Sequence, residues 1–192
     1  MGKLALRGLV LTVVIGLLGL GSYALAGGGS KHFNGDPMVG YQENPDISTA
    51  GVGSFDARLS KDGDSIHYVL TYSGLEGAVT QSHVHFGKPA INGGISFWLC
   101  QTTGTPAPAS VAAVTPFCPT PGGTVEGDIT AAQVLGPNSP PANQGIEPGN
   151  LAEILAAMRA GHAYANVHST KWPGGEIRAQ INNKHGDNGD DD

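Results

Sequence analysis

Short β-type runs, each closed by a glycine- or asparagine-bearing turn, limit what this chain can fold into. Ile66-His-Tyr-Val-Leu-Thr-Tyr72 lies between Lys61-Asp-Gly-Asp64 and the turn at Gly74 to Gly77. Gly51 to Leu59, Val79 to Phe86, Ile95 to Leu99, Gly123 to Ile129, Ala163 to His168 and Glu176 to Ile181 are of the same kind. With 30 glycines and 13 prolines in 192 residues, long helices are interrupted almost everywhere. The exception is Asn150 to Gly161, where Leu151, Ile154, Leu155 and Met158 recur at helical spacing behind an asparagine N-cap. Thr130-Ala-Ala-Gln133 has the form of a capping box and predicts one further helical turn before Gly136-Pro137. Seven or eight strands and one short helix near 150–160 predict an all-β, antiparallel Greek-key sandwich or barrel.

The ends of the chain predict a different fate. Lys3 and Arg7 precede an apolar run from Leu9 to Leu20, and Ala24-Leu-Ala26 fits a small-x-small cleavage site, so 1–26 reads as an export signal. Retention as an anchor is the alternative, since the apolar stretch approaches the spanning length of ~20 residues. Residues 27–36 read as a flexible linker, 37–183 as the domain, and 184–192 as a disordered acidic tail. Export predicts that Cys100 and Cys118 form a disulfide. It would staple a loose Thr-, Pro- and Ala-rich insertion, contributing ~3 kcal/mol by loop-closure entropy. A formal charge of −6 excludes a nucleic-acid partner and an anionic membrane surface, leaving an extracytoplasmic protein or a metal as the partner.

Two histidine-bearing segments carry chemistry. In His83-Val-His85 the strand period puts both imidazoles on one face, from which they can converge on a metal. In Tyr164-Ala-Asn-Val-His168 the residues Ala163, Ala165 and Val167 face inward, so Tyr164, Asn166 and His168 face away from the core. A hairpin with the following strand would pair His168 with Glu176, Asn166 with Arg178 and Tyr164 with Gln180. Glu176 could then orient His168 through its other ring nitrogen. His67 joins this group only in one of two registers and is left out, while His162 starts its strand too far from His168. No Gly-x-Ser-x-Gly elbow, His-Glu-x-x-His helix or phosphate-binding glycine loop is present.

These residues, in order, resemble a known family. Gly40-Tyr-Gln-Glu-Asn-Pro45, Gly51 to Leu59, Tyr68 to Leu75, His83-Val-His-Phe-Gly87 with Asn92-Gly-Gly94, and Gly161 to His168 with Gly174-Gly-Glu-Ile-Arg178 look like the CHRD domain, the module named after chordin. The resemblance covers Met38 to Ile181 and implies an immunoglobulin- or superoxide-dismutase-like barrel in an extracytoplasmic setting; it brings no established activity. The insertion between Cys100 and Cys118 departs from the family pattern.

A dismutase would also need a bridging histidine and a zinc loop, yet no histidine lies between Phe86 and Gly161. The binuclear site is therefore excluded. What is left is a mononuclear copper or zinc site of His83, His85 and His168 with Glu176 behind it, in a secreted or periplasmic binding module and not an enzyme. The competing reading is a purely structural or interaction domain without metal, with a copper oxidoreductase as a third.

Overall fold

Strand alternation sorts most of the chain into a buried and an exposed face. In Ser65–Ser73 the residues Ile66, Tyr68, Leu70 and Tyr72 are buried while their neighbours reach solvent. The computed structural model describes residues 30–136 and 144–183. Its strands are β1 (His32–Val39), β2 (Val52–Leu59), β3 (Ser65–Ser73), β4 (Val79–Phe86), β5 (Gly94–Cys100), β6 (Gly123–Thr130), β7 (Ala163–Ser169), β8 (Ile177–Gln180) and the two-residue β9 (Asn182–Asn183). One α-helix, α1 (Leu151–Arg159), lies between β6 and β7.

All described pairings between strands are antiparallel, in the spatial order β5-β4-β7-β8-β1-β2-β3-β6, with β9 beside β1. The two end strands, β5 and β6, come into contact, so the sheet nearly closes on itself. Tyr68 of β3, the neighbour of β6, helps hold these ends together by donating across the core to the Leu99 carbonyl of β5 at 2.5 Å. The interior holds Phe33, Met38, Phe55, Tyr68, Leu70, Phe97, Val84 and Ile177. Among the described residues the expected antiparallel sandwich or barrel with one short α-helix is the observed architecture.

Local signals act as the residue types dictate. Between β2 and β3 the Ser60 hydroxyl accepts from the backbone N–H groups of Gly63, Asp64 and Ser65, and Gly63 takes φ +78°. Asn150 caps α1 by accepting from Glu153 N–H at 3.2 Å, and the helix lays Leu151, Ile154, Leu155 and Met158 onto the barrel beside β7. Thr130 N–H donates to Gln133 Oε1 across one short 3-10 turn.

Two expectations need correction. Residues 32–36, read as linker, are the first half of β1, whose Phe33 and Met38 are fully buried. Asn34-Gly-Asp-Pro37 has a turn composition, but here it sits at an irregularity in the pairing with β2, between Gly35 and Met38. The insertion closed by the Cys100–Cys118 disulfide is also not loose. The Gln101 side chain organises it, donating to the carbonyls of Ala112 and Thr115 and accepting from Ala107 N–H. Ala107 and Val111 then form a small apolar cluster with Trp98. The expected export signal and acidic tail lie outside the described residues.

Candidate metal centre

The pairing of β4 with β7 assembles the site. His83 lies opposite Asn166, His85 opposite Tyr164 and Gln81 opposite His168. Residues two apart share a face, so His83, His85, Asn166 and His168 occupy one patch of this two-stranded ribbon. The ring centroid of His83 is 5.4 Å from that of His85 and 4.9 Å from that of His168. One nitrogen from each of the three rings lies within 4.8 Å of the other two. Three donors bonded to a single ion at ~2.05 Å and separated by 90–120° stand about 2.9–3.6 Å apart, so the widest pair must draw together by roughly 1–2 Å to close on one ion.

That face is not the solvated one expected. Every residue of β7 is buried, and the exposures of His83, His85 and His168 are 1, 8 and 6%. The cover comes from parts of the chain distant in sequence. Trp98 of β5 packs edge-on against His83 at 4.3 Å, and the disulfide-closed insertion lies against Trp98. Tyr164 stacks on His85 at 4.7 Å, and the Arg178 guanidinium lies 3.3 Å above the Tyr164 ring centroid. Three loops close over the rest: Asn44 donates to the Ala90 carbonyl, Asn92 donates to the Asn44 carbonyl, and Pro173 contacts His168. A cavity of about 400 Å³ opens among these loops, lined by Glu43, Asn92, Pro173 and Gly175.

The hydrogen bonds fix which nitrogens are free. His85 Nδ1 lies 2.9 Å from the Gly93 carbonyl and His168 Nδ1 lies 2.9 Å from the Pro173 carbonyl. A carbonyl only accepts, so each Nδ1 carries the proton and each Nε2 presents a lone pair. Backbone carbonyls holding the remote nitrogen are a usual support for metal-binding histidines. Both Nε2 atoms nevertheless lie 3.1 Å from Asn166 Oδ1, another acceptor. Among the described residues neither nitrogen of His83 has a hydrogen-bond partner, although both are buried.

Burial keeps the rings neutral. It drives the pKa of His83 well below 6.5, with the charges of His168 and His85 adding to the effect. Burial takes His85 down to about 4 against the opposing Gly93 hydrogen bond, and lowers His168 against that of Pro173. Glu43 moves the other way: burial raises it to about 7 despite the Arg178 charge and the Asn166 amide. Below pH 6.5 the unfolded histidines take up protons that the folded ones refuse, so stability falls with pH towards 4. Between 4.5 and 7 folded Glu43 holds a proton that its unfolded form releases, which has the opposite sign but involves one group against three. The metal-free chain should therefore lose thermal stability steadily from pH 6.5 to 4.5 in circular-dichroism melts with chelator. A midpoint that rises on acidification would contradict the burial of the rings.

Glu176 does not stand behind His168. The expected neighbours in β8 are present, Asn166 opposite Arg178 and Tyr164 opposite Gln180. But Glu176 Oε1 accepts from Thr49 Oγ1 and from Glu76 N–H, each at 2.7 Å, and the Pro173 carbonyl takes the place foreseen for it. His67 pairs with Asp128 at 3.0 Å, far from β4 in the strand order, and His162 is exposed. Sequence reasoning missed Asn166, Glu43 and Trp98 as parts of the site. Asn166 alone had a usable signal, sharing a strand face with His168.

Among known proteins, the family model described as the CHRD domain matches residues 37–181. No curated protein and no solved structure shows a significant match. Among the described residues no helix is long and apolar enough to cross a membrane.

Proposed function

The chain belongs to the CHRD domain family, and we propose that it is an exported binding module that holds one copper or zinc ion through His83, His85 and His168. The observation that carries this reading is His83: both ring nitrogens are buried and unpartnered, beside two further lone pairs. A buried polar atom without a partner costs ~1–3 kcal/mol, and a cation bound at the lone-pair nitrogen of the ring offsets the cost of that atom. If the cluster only held the barrel together, His83 would be expected to hydrogen-bond a loop, as His85 and His168 do. Three imidazoles suit copper and zinc alike, and for such donors Cu(II) binds more tightly than Zn(II). Export through residues 1–26 fits the disulfide, which needs an oxidising compartment. Among the described residues nothing beyond the histidine cluster resembles catalytic machinery.

Calorimetric titration of the metal-free full chain with Cu(II) and with Zn(II) tests the proposal. One ion per chain is expected, with affinity falling at least a hundredfold in both His83→Ala and His85→Ala. Wild-type protein that takes up no ion, or variants that bind as wild type does, would end it.

A further inference from the structure

We propose that the Asn166 side-chain oxygen is a fourth ligand to the same ion, making the site three imidazole nitrogens and one amide oxygen. This inference rests on the metal reading above. Asn166 Oδ1 lies 3.1 Å from His85 Nε2 and 3.1 Å from His168 Nε2. Neutral rings that donate Nδ1–H to the Gly93 and Pro173 carbonyls have no second proton to offer it. Two nitrogen lone pairs and an amide oxygen therefore converge with no hydrogen between them. That arrangement repels when it is empty and attracts around a cation. Its dimensions fit one: donors bonded at ~2.05 Å and separated by 90–109° stand about 2.9–3.4 Å apart.

The surroundings hold the amide this way round. Asn166 Nδ2 and the Glu43 carboxylate meet at the same face of Gly175. A Cβ built there would collide with Glu43 Oε1 and come within 2.9 Å of Asn166 Nδ2. With Nδ2 towards the carboxylate, Oδ1 is directed to the rings. The reverse orientation would put Oδ1 against the Glu43 oxygens. Gly175 also has φ +128°, so any side chain there is strained as well as crowded. Arg178 lies across the strand pair from Asn166 and places its charge on Glu43, so the carboxylate serves as a brace for the amide.

All four donors are neutral, so the ion keeps its full charge in a buried place, and a carboxylate in place of the amide should bind it more tightly. The test compares wild type, Asn166→Ala and Asn166→Asp by Cu(II) titration and electron paramagnetic resonance, with His83→Ala as reference. Asn166→Ala should lose at least about tenfold in affinity and change the Cu(II) hyperfine pattern; Asn166→Asp, made together with Glu43→Gln so that its second oxygen meets an amide and not a carboxylate, should bind more tightly than wild type. Metal-free melts identify any variant that fails to fold, and Asn166→Asp keeps the shape of the side chain where the alanine variant does not. If His83→Ala loses the ion while both Asn166 variants keep the wild-type affinity and spectrum, the fourth ligand is refuted and the histidine site stands. If wild type binds no Cu(II), the histidine site falls and this inference with it.

Discussion

Zinc at a hundred times its dissociation constant should raise the melting midpoint of the metal-free chain by about 5–10 °C. A ligand that binds only the folded state at that excess stabilises it by ~2.7 kcal/mol. For domains of this size each kcal/mol moves the midpoint by roughly 2–4 °C. The physical source is local. The folded chain without an ion holds His83 with two buried, unpartnered nitrogens and brings the Nε2 atoms of His85 and His168 to 3.1 Å from an acceptor oxygen. An ion would take up one His83 nitrogen and the two Nε2 lone pairs that face the oxygen, easing both penalties, while the unfolded chain, whose imidazoles are dispersed, would gain little from it. Differential scanning calorimetry with zinc, and then with excess chelator, reads the shift and its reversal. A midpoint that is the same in both conditions would reduce the cluster to packing.

Arg178→Ala should cost about 3 kcal/mol, lowering the midpoint by roughly 10 °C. Arg178 is 1% exposed, an unusual place for a guanidinium, and burial lowers its pKa. It covers Tyr164, which in turn stacks on His85, and its Nη2 donates to the Lys88 carbonyl at 3.3 Å. Its charge also steadies the buried Glu43 carboxylate. Removing it strips the Tyr164 face, takes a hydrogen bond from the Lys88 carbonyl and removes the charge that opposes the burial of Glu43, which then keeps its proton to higher pH. The double variant Arg178→Met, Glu43→Gln, which removes both charges and keeps most of the volume, should recover part of the loss. Urea unfolding of the wild type, both single variants and the double variant gives the coupling. Strictly additive losses would mean that the two charges do not sense each other.

Much of the fold was legible because strands and turns declare themselves over a few residues. The runs 66–72, 79–86 and 163–168 carry their periodicity in full view, and Asn150 and Gly161 bracket the helix. The first strand was hidden because Asn34-Gly-Asp-Pro37 has the composition of a turn while its flanks, Phe33 and Met38, fill the core. Glu176 was misassigned for a related reason. Its position beside β7 followed from the parity of the hairpin, yet parity does not say which of several nearby donors a carboxylate will choose. Thr49, more than a hundred residues earlier, was close enough to claim it.

From the amino-acid order alone came the antiparallel sheet, the cysteine pair, and two histidines sharing the face of one strand with a third on another. Those are consequences of a two-residue period and of residue chemistry, which act locally. Tertiary structure decided that β4 and β7 lie side by side, so that three rings and the Asn166 oxygen meet, and that Trp98, Tyr164 and three loops shut water away from them. Periodicity says which way a side chain points but not what stands in front of it. What stands there is set by pairings between segments some eighty residues apart, and their geometry exists only once the barrel has closed.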